Sequence, residues 1–184
     1  MGLILLTNAD NIKRNSAIQN SVDDKLIVPY IQKAQFTHIH QILGTDLYDR
    51  LLFDVENTQV AGNYKILLDK YIIPCLIEWT VYEVMPFISL RLDNKSITKG
   101  NSEFSDAADL SDLKYLRQTV RELGEFYDKR AISYLKANTN LFPEYLMNAT
   151  SDKLKPIHNK NLIGGIYIGS GKSSDCDFGL DLPR

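Results

Sequence analysis

Apolar positions recur every three or four residues along much of this chain, and the intervals over which that period holds lay out its elements. From Asp24 onward Ile27, Ile31, Ala34, Ile39 and Ile42 lie close to one helical face. Asp23 or Asp24 is the expected N-terminal cap, and Gly44 the expected left-handed stop. Pro29 fits only a first turn, where a missing amide costs nothing, so the helix proper is expected to begin near Val28. Thr45-Asp46 is expected to cap a second, short helix with Leu47, Tyr48, Leu51, Leu52 and Val55 as its apolar set. Asn57 to Asn63 reads as a polar turn.

The stretch from Tyr71 to Leu90 differs in kind, because nearly every residue is apolar or aromatic and only Glu78 and Glu83 are charged. A helix apolar over most of its circumference must be buried on several sides. A bilayer span is the competing reading, but two central glutamates would cost roughly 2.5–3.5 kcal/mol each there. No basic cluster flanks the segment, so the expectation is no membrane and a central helix of a helical domain, with Trp79, Tyr82 and Phe87 in its core. That helix is expected from about Tyr64 to Leu92, with kinks or breaks at Pro74 and Pro86. Asp93 to Asp109 reads as a long loop with a small hairpin around Thr98 to Asn101.

The clearest amphipathic helix runs from Asp109 to Asn138, where Leu113, Leu116, Val120, Leu123, Tyr127, Ala131 and Tyr134 step by three and four. Gly124 on its packed side lets another helix approach closely, and Glu125 with Lys129 has the favourable order for an ion pair. Leu141 to Leu146 reads as a docking turn. The expected fold is mainly α: a compact helical domain over 24–148 around a kinked central helix, with extended arms containing short β-prone segments. The N-terminal arm, 1–23, reads as a short strand at Leu3 to Leu6 followed by an Asn-rich linker. The C-terminal extension, 149–184, is polar and Gly-rich, with one apolar island of Leu162, Ile163, Ile166, Tyr167 and Ile168. An island without a core of its own gains most by joining a partner's sheet edge or a groove between subunits, so these five are the candidate partner-binding residues.

Composition narrows the function. A chain of 184 residues, 44% hydrophobic, is one domain with tails, and a net charge of −2 argues against wrapping nucleic acid by neutralising phosphates. Two cysteines make neither a disulfide framework nor a metal spacing; Cys75 reads as a small core residue and the usage fits a reducing compartment. The short apolar start lacks the basic residues of a signal peptide.

Candidate chemistry is sparse. Gly169 to Ser174 is reminiscent of a phosphate-binding loop around Lys172, but the required first glycine falls on Ile166, with Gly165 one place too early. His38-Ile-His40 places two imidazoles on different helix faces, which favours one partly buried and one exposed histidine over a metal pair. Glu78 and Glu83, five apart, also face different ways. Each is expected to meet a helix end or a cation such as Arg117 or Arg121, because a buried carboxylate left unpaired costs too much. No catalytic residues, no metal and no cofactor are expected.

Several phrases, taken in order, resemble a known group: Ile31 to Gln35, Ile42 to Tyr48, Tyr71 to Trp79, Lys99-Gly100, Tyr134 to Asn138 and Phe142 to Tyr145. Together they resemble the head-to-tail connector (adaptor) proteins of tailed bacteriophages, most closely the ring proteins of crAss-like phages, over roughly 20–148. The resemblance implies a structural virion protein at the head–tail junction, assembled in the host cytoplasm. Its partners would be the portal protein, neighbouring connector subunits in a homo-oligomeric ring (a dodecamer), and other tail or ring proteins. DNA would pass through the channel without sequence-specific binding. A slightly acidic chain suits such a conduit, since a strongly basic lumen would hold the DNA. Two other classes compete: a small cytoplasmic helical regulatory or binding module, and a bundle enzyme built on Glu78 and Glu83.

Overall fold

The computed structural model describes residues 4–93, 96–99, 110–146 and 154–157. Among these the fold is mainly helical. Helix α1 is Ala9–Arg14, α2 Asp24–Ala34, α3 His40–Leu43, α4 Thr45–Glu56, α5 Gly62–Leu67, α6 Ile73–Ser89 and α7 Leu110–Ala137. Two π-turns, Gln35–Ile39 and Leu68–Ile72, join α2 to α3 and α5 to α6, so each pair is one continuous rod. Strands β1 (Leu90–Asp93) and β2 (Ser96–Lys99) pair antiparallel, Leu90 opposite Lys99 and Asp93 opposite Ser96. Thr98 and Lys99 therefore lie in the second strand of a hairpin that sits earlier in the chain than the one expected around Thr98 to Asn101, and α6 ends at Ser89 rather than at Leu92.

The first π-turn solves a phase problem. Ile27, Ile31 and Ala34 keep helical spacing, but Ile39 follows Ala34 by five residues, about 140° out of register in a straight α-helix of 3.6 residues per turn. A π-turn absorbs one extra residue. Ile39 and Ile42 thereby return to the buried face, and all five side chains are fully enclosed. Asp23 caps α2 by accepting from the Lys25 amide (3.0 Å). Pro29 stands inside α2, not at its start; the helix begins at Asp24, and burial of Ile27 and Ile31 offsets the lost amide bond.

Gly44 ends α3 with φ 73° and ψ 163°, a conformation open to glycine, and a side chain there would lie 2.7 Å from Cδ of Pro156. Thr45 does not cap α4; its hydroxyl meets His40 Nε2 at 3.0 Å, and its amide donates to the Leu154 carbonyl. With the Ile157 amide bonded to the Gln41 carbonyl (2.9 Å), residues 154–157 form a strap across the α3–α4 corner.

Helix α6 is the centre, packed against α2 on one side and α7 on another. By length and composition alone Gly62–Ile88 is apolar enough to span a membrane. In the fold it is the rod against which the others bury Ile72, Cys75, Leu76, Trp79 and Val84. The break expected at Pro74 is instead a π-turn ahead of it, and Pro86 stands within α6 without ending it. The Asn-rich passage expected as a linker is also different: Asn8 caps α1, and Leu6, Ala9, Ile12 and Ile18 join the core. Gln35, buried in the π-turn, fixes this segment. Its Oε1 accepts from the Leu6 amide (2.9 Å), and its Nε2 donates to the Ile4 carbonyl and the Tyr48 hydroxyl. The docking turn at Leu141 to Leu146 is a pair of 3₁₀ turns that bury Phe142 and Tyr145.

Candidate functional site

Three features concentrate the polar chemistry and the unsatisfied surface. The first is a joint around Trp79, where the π-turn, α6 and α7 meet. Trp79 Nε1 donates to Asp128 Oδ1 (2.9 Å), and the Cys75 thiol donates to the same oxygen (2.9 Å). Asp128 is fully buried, so two donors from one face of α6 meet a carboxylate that solvent does not reach. The His38 ring stacks on the other side of the indole at 3.7 Å and 6°. Gly124 completes the joint: a Cβ there would lie 2.9 Å from Trp79 Cε2, so only glycine lets α7 come this close.

Glu83 extends the joint toward α2, its two oxygens meeting Lys33 Nζ (2.7 Å) and His38 Nε2 (3.4 Å). Burial pushes its carboxyl up, but Lys33 and His38 outweigh this and hold it below the ordinary carboxylate range. These partners differ from those expected. Arg117 lies over the Tyr82 ring (4.2 Å to the centroid), and Arg121 pairs with Glu125 (2.9 Å), which displaces the expected Glu125–Lys129 pair. The histidines also depart from expectation, since neither is exposed. His38 is partly buried against Trp79, and His40 is buried between Thr45 and the Tyr48 ring.

The second feature is a groove of about 470 Å³ between α1 and α6, lined among others by Asn11, Asn15, Asp69, Glu78 and Tyr127. Burial pushes the Glu78 carboxyl above its ordinary range, and no cation among the described residues meets it. Asp69 is bridged to Lys65 (3.0 Å). Glu78 and Glu83 therefore occupy separate surroundings, and the fold does not assemble them into one acid–base pair.

The third is an apolar flank of α7. Tyr115 is 75% exposed, Leu116 52%, Leu123 42% and Phe126 58%. Leu116 and Leu123 were expected in the core; α6 takes the neighbouring line of Gly124, Asp128, Ala131 and Leu135 instead. Tyr115 and Phe126, which fall outside the three-four series, are the sequence signal of this second stripe. Leu162, Ile163, Ile166, Tyr167 and Ile168, and likewise Gly169 to Ser174, lie outside the described residues.

No curated protein and no solved structure matches this chain. Residues 39–154, from the end of the first π-turn to the strap at Leu154, match a family model described as "Family of unknown function (DUF6712)", and on that match the chain belongs to this family.

Proposed function

We propose that this protein is a structural virion protein, a ring-forming head-to-tail connector that joins portal to tail and lines the DNA channel. The observation that carries the reading is where the resemblance phrases fall. Five of the six phrases touch another of them in the fold. Gln35 bonds the Tyr48 hydroxyl at 2.8 Å, Tyr71 stacks on Tyr134 at 4.1 Å, and Tyr134 lies against Phe142. These contacts join the phrases in two sets, Ile31 to Gln35 with Ile42 to Tyr48, and Tyr71 to Trp79 with Tyr134 to Asn138 and Phe142 to Tyr145, as expected if they specify a shared adaptor architecture. Large exposed apolar side chains on separate elements, Phe36, Phe53 and the α7 flank, add surface suited to assembly.

In this reading the ring contacts neighbouring subunits, the portal and further tail or ring proteins. The island at Leu162 to Ile168 reaches one of them, its weak contact multiplied by the effective concentration a ring creates. Quantitative mass spectrometry of purified virions tests the proposal. The expected result is one ring's complement of this chain per portal; absence from particles that contain portal and tail overturns it.

A further inference from the structure

We propose that the exposed flank of α7 is a self-complementary docking surface, on which α7 of a second copy of this chain lies antiparallel. Asp112 and Arg130 are separated by about 18 residues, five turns at 3.6 residues each, so they occupy the same line of the helix. Both are exposed, and among the described residues neither has an ion-pair partner. The Arg130 guanidinium lies 5.2 Å over the Tyr71 ring. Between these two charges the exposed stripe carries Leu116, Thr119, Leu123 and Phe126.

Turning this stripe end for end maps it onto itself. With the twofold axis beside residue 121, Asp112 of one copy faces Arg130 of the other, Leu116 faces Phe126, and Thr119 faces Leu123. Every apolar position meets an apolar or methyl-bearing one, and each charge meets its opposite at both ends. A parallel pairing would instead set Asp112 against Asp112 and Arg130 against Arg130. The charge pattern therefore selects a second copy, and selects the antiparallel direction. Such a contact is isologous and closes after two copies, so it differs from the head-to-tail contact that propagates a ring. It does not rest on the connector reading.

Sedimentation velocity of the full chain across the micromolar range tests it. A concentration-dependent dimer is expected. Asp112→Arg alone and Arg130→Asp alone should each weaken it by at least about ten-fold, since each sets like charges face to face. The combined D112R/R130D exchange should restore the dimer, a rescue that a folding defect cannot give. Phe126→Ser should weaken dimerisation comparably, with an unchanged helical spectrum. A monomer at all concentrations overturns the inference, and would fit a flank covered by another segment of this chain. Dimers or larger rings indifferent to the single reversals, or an exchange that fails to rescue, overturn it equally, and rings that form regardless leave the connector reading standing.

Discussion

Replacing Gly124 by alanine sets two known effects against each other, and the joint around Trp79 decides the sign. In an exposed helix interior glycine costs about 1 kcal/mol relative to alanine, so propensity alone predicts that much stabilisation. In α7 the new methyl carbon would stand 2.9 Å from Trp79 Cε2 and 3.2 Å from both Cδ2 and Cζ2. The indole is rigid, and it is held on both sides, by its hydrogen bond to Asp128 and by the stacked His38 ring. It cannot swing away as a lysine tip would, so α7 must move outward. Overpacking of this kind costs roughly 1–3 kcal/mol. The balance is a net destabilisation of about 1 kcal/mol, which for a chain of this size lowers the melting temperature by roughly 2–4 °C. Far-UV circular dichroism gives the midpoint. Emission from Trp79, the chain's one tryptophan, reports whether the joint has loosened. A Gly124→Ala protein that melts higher than the parent, with unchanged emission, would show that α7 does not press on Trp79.

Glu83→Gln should lower stability at neutral pH. The folded carboxyl titrates below its ordinary value of 4.5, so its contribution is present above that value and is lost as pH falls through the lower folded value. A difference that persists undiminished well below that range would contradict the assignment. Glu78→Gln should act with the opposite sign. Its folded carboxyl titrates above 4.5, so the penalty on the parent builds as pH rises above 4.5 and is complete once pH passes the raised folded value; the variant should be the more stable at pH 7, with the gain vanishing in acid. Equal melting at pH 7 would mean that the groove does not desolvate Glu78. Tyr64→Phe removes the hydroxyl that donates to Glu144 Oε2 at 2.7 Å and fastens the 3₁₀ turn to α5. Burial and that carboxylate push the phenol up to about 12. Because the pair is partly solvated, the loss should be about 1 kcal/mol, read by chemical denaturation, and no change would place the turn's anchorage in Phe142 and Tyr145 alone.

Much of the helical framework was legible because long periodic segments determine their own class. The Leu113 to Tyr134 series marked α7, Gly124 marked a close approach and Asp23 marked a cap. What escaped was phase and length. The five-residue step from Ala34 to Ile39 fits a helical face only if a π-turn intervenes, and nothing in the local residues announces one. Helix α1 has six residues and buries only Ala9 and Ile12, too few to display a period. Its place is fixed by Gln35, 29 residues from Leu6, a tertiary bond that no local pattern contains. Ion pairing was ambiguous in the same way. Glu125 has a cation four residues away on either side, and the choice of Arg121 over Lys129 depends on the side chains' surroundings. Asp128 went unnoticed because a lone aspartate on an amphipathic helix reads as a solvated residue; only the fold brings Trp79 and Cys75 to it.

The central claim is assembly under the portal, and the mass of the complex formed by the full chain with its portal protein tests it most directly. Mass photometry of the portal alone and after addition of this protein should show a single discrete increment. That increment should be twelve times the 21.0-kDa chain mass, and it should shrink or disappear when residues 158–184 are removed from a chain that still folds. A portal whose mass is unchanged by a folded, full-length chain in excess would contradict the account.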